Sequence, residues 1–171
     1  MLTIYNTESG AKELCQFISR EKVTPIFDID GVIADASHRI SLNPDGSLDL
    51  EHYRSNTTAE QVAKDKTLPI YGAVNFCNVS GIGYSIATAR VLCKHSFNWL
   101  FNKRINPFIA WCRDGESDKR KDYVLKTDHF KADIPEYLRS NYCLIDDNLD
   151  NCIAAKEMGL KAVHVIADVK A

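Results

Sequence analysis

Thr24-Pro25-Ile26-Phe27-Asp28-Ile29-Asp30-Gly31-Val32 is the stretch on which the fold turns. An apolar run ends in two carboxylates separated by one residue, and a glycine follows at once. This is the composition of a buried strand that stops at a tight turn and delivers polar side chains to its carboxyl end. In open parallel sheets, ligands bind at those carboxyl ends. A twisting strand end can bring both acids to one crevice. There a pair of acids can hold a divalent cation and divide nucleophilic and proton-transfer roles between them.

The pattern on either side alternates helix with strand. Residues 9–20 place Leu14, Phe17 and Ile18 on one face, which predicts an amphipathic helix ahead of a strand over 23–29. Residues 35–50, rich in Ser, Asn, Pro, Asp and Gly, predict loop. A helix over 50–64 is weakened, and can be split, by Ser55-Asn56-Thr57-Thr58. Helix is predicted over 69–79 with proline near its start, then a strand over 83–88 and a helix over 91–102. A strand over 108–112 leads to a charged loop, followed by helices over 121–130 and 134–140. A strand over 142–145 ends in Asp146-Asp147; a helix over 151–158 stops at Gly159, before a last strand over 162–166. Strands alternating with helices predict an α/β, Rossmann-like three-layer sandwich with a central parallel sheet. The reading is one domain over 1–171, with a small cap insert after the first strand at about 35–68.

The 171 residues suffice for one real core, and the 45% apolar and 26% charged shares are those of an ordinary globular chain. A net charge of −2 provides no global basic field for nucleic acid, so a polyanion would need a local patch. The six cysteines are scattered without a C-x-x-C pair and read as reduced, structural thiols. No signal peptide or membrane-spanning run is visible, so the expected location is cytoplasmic. The sequence leaves the oligomeric state open.

The predicted strand ends give, in order, Asp28/Asp30, Thr88-Ala89-Arg90, Arg113 and Asp146/Asp147, with Lys126 on the helix leading into the fourth of these strands. Singly, these are ordinary residues: an Asp-Gly turn, a helix-capping threonine, a solvated lysine. As an ordered set they resemble the four signatures of the haloacid dehalogenase (HAD)-like superfamily of phosphotransferases, over residues 24–166. A narrower resemblance is to the 3′-phosphatase domain of phage-type polynucleotide kinase/phosphatase. It rests on Ala87-Thr88-Ala89-Arg90, on the run from Cys112 and Arg113 through Asp122-Tyr123-Val124-Leu125-Lys126, and on Arg39. No kinase P-loop accompanies it.

The resemblance implies a phosphatase. Asp28 would be the nucleophile, forming an aspartyl-phosphate, and Asp30 the acid/base. Asp28, Asp30 (through its carbonyl), Asp146 and Asp147 would serve Mg²⁺. Thr88, Ala89 and Lys126 would hold the transferring phosphoryl group. Arg39, Arg90 and Arg113, with His38 as a minor candidate, would contact substrate. The implied substrate is a phosphorylated nucleotide or a nucleic-acid 3′-phosphate end. A 5′-deoxynucleotidase or another small-molecule phosphatase is the alternative, and a non-catalytic binding module of the same fold stands further off.

Overall fold

The computed structural model describes residues 1–41, 43–44, 49–115 and 117–168. In chain order the elements are β1 Leu2–Tyr5, α1 Glu8–Glu21, β2 Thr24–Phe27, β3 Ala34–Asp35, α2 Leu50–Ser55, α3 Ala59–Ala63, β4 Lys66–Thr67, α4 Tyr71–Ser80, β5 Ser85–Ala87, α5 Lys94–Asn102, β6 Ala110–Trp111, α6 Asp122–Asp133, β7 Tyr142–Asp146, α7 Leu149–Glu157 and β8 Lys161–Ile166. Short 3₁₀ turns cover Ser37–Arg39 and Glu136–Asn141.

β1, β8, β7, β2, β5 and β6 form one sheet in that order, and every pairing in it is parallel. Helices cover both faces. On one, Leu14 and Ile18 of α1, Val74 of α4 and Trp99 of α5 pack with Phe27 and Ile145. On the other, Phe130 of α6 and Ala155 of α7 pack with Ile26 and Leu144. Alternating side chains of β2 thus serve both cores, as a central strand requires. Burying a Phe or Leu side chain in such a layer contributes about 1.5–3 kcal/mol.

Local chemistry sets the helix ends. The Thr7 hydroxyl accepts from Gly10 N and caps α1, and Lys22 in the left-handed region terminates it. Gly81, at φ 68°, ends α4 in the same way.

The α/β fold with a central parallel sheet is as expected, but several elements differ from the sequence reading. The helix over 50–64 is split into α2 and α3 at Ser55-Asn56-Thr57-Thr58, the break that this stretch allowed, and Thr58 caps α3 through Gln61 N. Within the expected loop and its exit, Ala34–Asp35 pairs antiparallel with Lys66–Thr67 as a two-stranded ribbon; residues 42 and 45–48 of that loop lie outside the described residues, as does Glu116 in the charged loop. α5 begins only at Lys94, because Cys93 is still extended. The strand β1 was not anticipated: of its four residues only Ile4 is buried, so no apolar run marks it. Its strand form comes from pairing with β8 at the sheet edge.

Candidate active site

The carboxyl edge of the sheet carries the candidate residues. Asp28 N donates to Ile145 O at 2.9 Å, which ties the start of the turn to the neighbouring strand β7. The chain then reverses through Gly31, at φ 73°. A Cβ at this glycine would overlap the Asp147 carboxylate, so glycine is required both for its backbone conformation and for the close approach. Asn6, after β1, staples the turn: its Nδ2 donates to Gly31 O at 2.8 Å and Val32 O at 3.0 Å. Its Oδ1 accepts from Ile70 N at 3.0 Å.

Asp28, Asp146 and Asp147 converge, each offering an oxygen within 4.8 Å of the others. Lys126 Nζ reaches Asp146 at 2.7 Å, Asp28 at 3.1 Å and Asp122 at 3.3 Å. Asn151 Nδ2 donates to Asp122 at 2.7 Å and to Asp146 at 3.0 Å. Burial pushes the Asp28 carboxyl well above its usual range; Lys126 opposes this, while Asp146, Asp122 and Asp147 add to it. Burial, then Asp146, pushes Asp147 up to about 6. Burial alone would lower Lys126, but Asp28, Asp146 and Asp122 hold its ammonium well above the ordinary value. Three acids meet one ammonium and Asp147 stands beside two of them, so acids outnumber the counter-charge, and the donors are hard oxygens. That set fits Mg²⁺.

Asp30 does not join this cluster. Its carboxylate turns to Arg90, whose Nε and NH2 donate at 2.7 and 2.5 Å. Burial disfavours its charge, yet Arg90 outweighs burial and keeps Asp30 below the usual carboxylate range. Thr88 is buried, and its hydroxyl accepts from Arg90 N at 3.2 Å. Thr88, Ala89, Arg90 and Arg113 line an open cleft of about 1550 Å³ together with Asp28 and Asp30.

The three arginines differ in placement. Arg113 NH1 donates to the carbonyls of Arg120 at 2.7 Å and Asp118 at 3.2 Å, stapling its own loop at the cleft wall. Arg39 is 1% exposed and gives Nε and NH2 to Asp65, each at 2.9 Å, while its guanidinium lies 4.6 Å from the centre of the Tyr53 ring. Arg90 NH1 stands 3.1 Å from the same Asp65. His38 Nε2 is bonded to Gln61 O at 3.0 Å.

Sequence reasoning gave Asp122 no role beyond its place in the run that ends at Lys126, and it passed over Asn151, Asp65 and Asn6. Asp122 precedes Lys126 by one helical turn, a spacing that could have marked it. The other three are brought in by the sheet and carry no such local sign.

Residues 16–110 match a protein-family model described as bacteriophage T5 5′-deoxynucleotidase. That span is more than half of the chain and contains Asp28, Asp30, Asp65 and Thr88-Ala89-Arg90. The chain belongs to the bacteriophage T5 5′-deoxynucleotidase family. No curated protein matches this family member by sequence. Its fold is that of HAD-like hydrolases. A HAD-like hydrolase from Streptococcus pneumoniae superposes with a TM-score of 0.62 at 15% identity, covering 84% of this chain and 85% of that one. A chain of the Pnkp1/Rnl/Hen1 complex also gives 0.62 at 18% identity, covering 85% of this chain. The deoxynucleotidase-family chain spans only 46% of the length of that relative. The family match is thus to a 5′-deoxynucleotidase family, and the fold likeness is to HAD-like hydrolases.

Proposed function

We propose that the protein is a Mg²⁺-dependent 5′-deoxynucleotidase that works through an aspartyl-phosphate on Asp28. The observation that carries this is the convergence of Asp28, Asp146, Asp147 and Lys126 at one sheet edge in a chain of this family. Asp28 attacks phosphorus, which splits hydrolysis into two displacements. Asp30 protonates the leaving 5′-oxygen and then takes a proton from the water that frees phosphate. The Thr88 hydroxyl and the Ala89 N–H hold the transferring oxygens, and Lys126 balances charge that grows on them. Mg²⁺ held by Asp28, Asp147 and the Asp30 carbonyl, with Asp146 alongside, would remove the repulsion between the anionic nucleophile and the anionic substrate. Arg113 faces the remainder of the substrate, whereas Arg90 and Arg39, expected from sequence as substrate contacts, are engaged by Asp30 and Asp65.

A second reading, hydrolysis of a nucleic-acid 3′-phosphate end, is favoured by the openness of the cleft, which would admit a polymer terminus. The test is phosphate release, with Mg²⁺ or EDTA, from deoxynucleoside 5′-monophosphates, 3′-phosphorylated oligonucleotide and sugar phosphates. Preference for the oligonucleotide would select the second reading. Preference for sugar phosphates would remove both. Mg²⁺ binding with no hydrolysis of any of them would leave a binding module. Six free thiols favour a reducing compartment, and we place the activity in the cytoplasm. Among the described residues no helix is long and apolar enough to cross a membrane.

A further inference from the structure

A second buried ion cluster adjoins the cleft, and the chemistry above does not use it. At its centre is Asp65, between α3 and β4, whose side chain is fully buried. Arg39 occupies both of its oxygens, and Arg90 NH1 lies 3.1 Å from Oδ2. Trp99 Nε1 donates to the Asp65 carbonyl at 3.0 Å, fixing its backbone. Arg90 turns its other edge, Nε and NH2, to the two oxygens of Asp30. One guanidinium therefore bridges a carboxylate of the segment between β2 and α4 and the carboxylate of the acid/base.

We propose that Asp65 is a positioning residue: by anchoring NH1 of Arg90 it holds the Nε/NH2 edge square to Asp30 and keeps that carboxyl aimed at the leaving oxygen. The proposal rests on the reading of Asp30 as acid/base. A planar guanidinium fixes the plane of a carboxylate because its two N–H bonds are parallel. The arginine stem is long and flexible, so it gives a fixed reference only where its far end is tied. Asp65 supplies that tie and is itself locked by Arg39. The Asp30 side chain is 35% exposed, so without the clamp its rotamer is free to leave the productive geometry. Misplacing a catalytic group by about 1 Å can cost on the order of 10²-fold in rate.

The role has a signature that simple damage to the fold lacks. A deoxynucleoside alkoxide needs a proton in order to leave, whereas p-nitrophenolate leaves without one. The value of kcat/KM reports the steps through release of the leaving group, before the phosphoenzyme is hydrolysed. The experiment measures kcat/KM of Asp30→Asn and Asp65→Asn on a deoxynucleoside 5′-monophosphate and on p-nitrophenyl phosphate, with folding checked by circular dichroism. Both variants are expected to lose about 10²-fold on the nucleotide and only a few-fold on the aryl ester. Selective loss in Asp30→Asn with equal losses in Asp65→Asn would overturn the positioning role and leave the acid/base reading intact. Equal losses in Asp30→Asn would overturn both. Should Asp65→Asn not fold, Arg90→Lys keeps the charge but breaks the two-edged bridge. The same selective loss then supports the role, and equal losses overturn it.

Discussion

The Lys126 ammonium and the Asp28 carboxylate face each other at 3.1 Å with both side chains nearly sealed from water, 2% and 8% exposed. Lys126 is also the counter-charge for Asp146 and Asp122. Replacing it by methionine removes charge stabilisation from the transition state and should slow turnover by about 10²–10³-fold. It also leaves buried acids without their partner, at a cost of about 3–5 kcal/mol. Because the freed acids take up protons on folding, the variant should regain stability as pH falls. Thermal melting at several pH values checks this; a loss of stability independent of pH would contradict it.

Asp28→Asn should abolish hydrolysis of a generic aryl phosphate in Mg²⁺ while leaving the fold intact. Its melting temperature should equal or exceed that of the parent, since a neutral amide removes a charge that burial opposes. Full activity in this variant would sink the nucleophile assignment.

Gly31→Ala meets two obstacles at once. The backbone there is left-handed, and the added methyl would overlap Asp147. A loss of about 1–3 kcal/mol in denaturant unfolding is expected, with weaker Mg²⁺ dependence because Asp147 must move. Unchanged stability and Mg²⁺ response would show that the approach of Gly31 to Asp147 does not matter.

Asp147, pushed up to about 6, sets a pH dependence for the cation. Its folded pKa lies above its unfolded value of 3.8, so without cation this group disfavours the folded state progressively as pH rises from about 4 to 6. Mg²⁺ takes the deprotonated form, so its affinity should increase over the same rise and level off above it. The rise in melting temperature produced by added Mg²⁺, measured at pH 5 and pH 7.5, should be clearly larger at the higher pH. An equal rise at both would exclude Asp147 as a ligand.

Thiol chemistry should be uneven. Burial pushes Cys77, Cys143 and Cys152 up to about 12. Burial also acts against Cys93, but hydrogen bonding from Ser96 at the start of α5 holds this cleft-lining thiol below its ordinary value. With limiting iodoacetamide, peptide mapping should find Cys93 modified ahead of those three. Modification of Cys143 first would mean that the core opens more readily than its packing indicates.

Much of the fold could be read along the chain because its signals are local. The apolar runs before Asp28, Thr88 and Asp146 are short and bounded by polar residues, so strand ends and their order follow from composition. Where burial is one-sided the signal fades. β1 buries little, and the ribbon of Ala34–Asp35 with Lys66–Thr67 is too short to have a pattern. The arginines were the hardest to place, because a guanidinium at a strand end reads the same whether it awaits a substrate or closes an ion pair.

The linear order of residues was enough to expect Asp28, Thr88 and Asp146-Asp147 on one edge of a parallel sheet, since each sits where an apolar run ends, and to expect Lys126 on the helix that leads into the last of these strands. It could not say that Asp30 turns from the acid cluster to Arg90, 60 positions away, or that Arg39 closes on Asp65, 26 positions away. Nor could it place Asn6 against Ile70 across 64 positions. Those partners meet only when the sheet assembles, because a buried charge or amide takes whichever counterpart packing brings within hydrogen-bond reach.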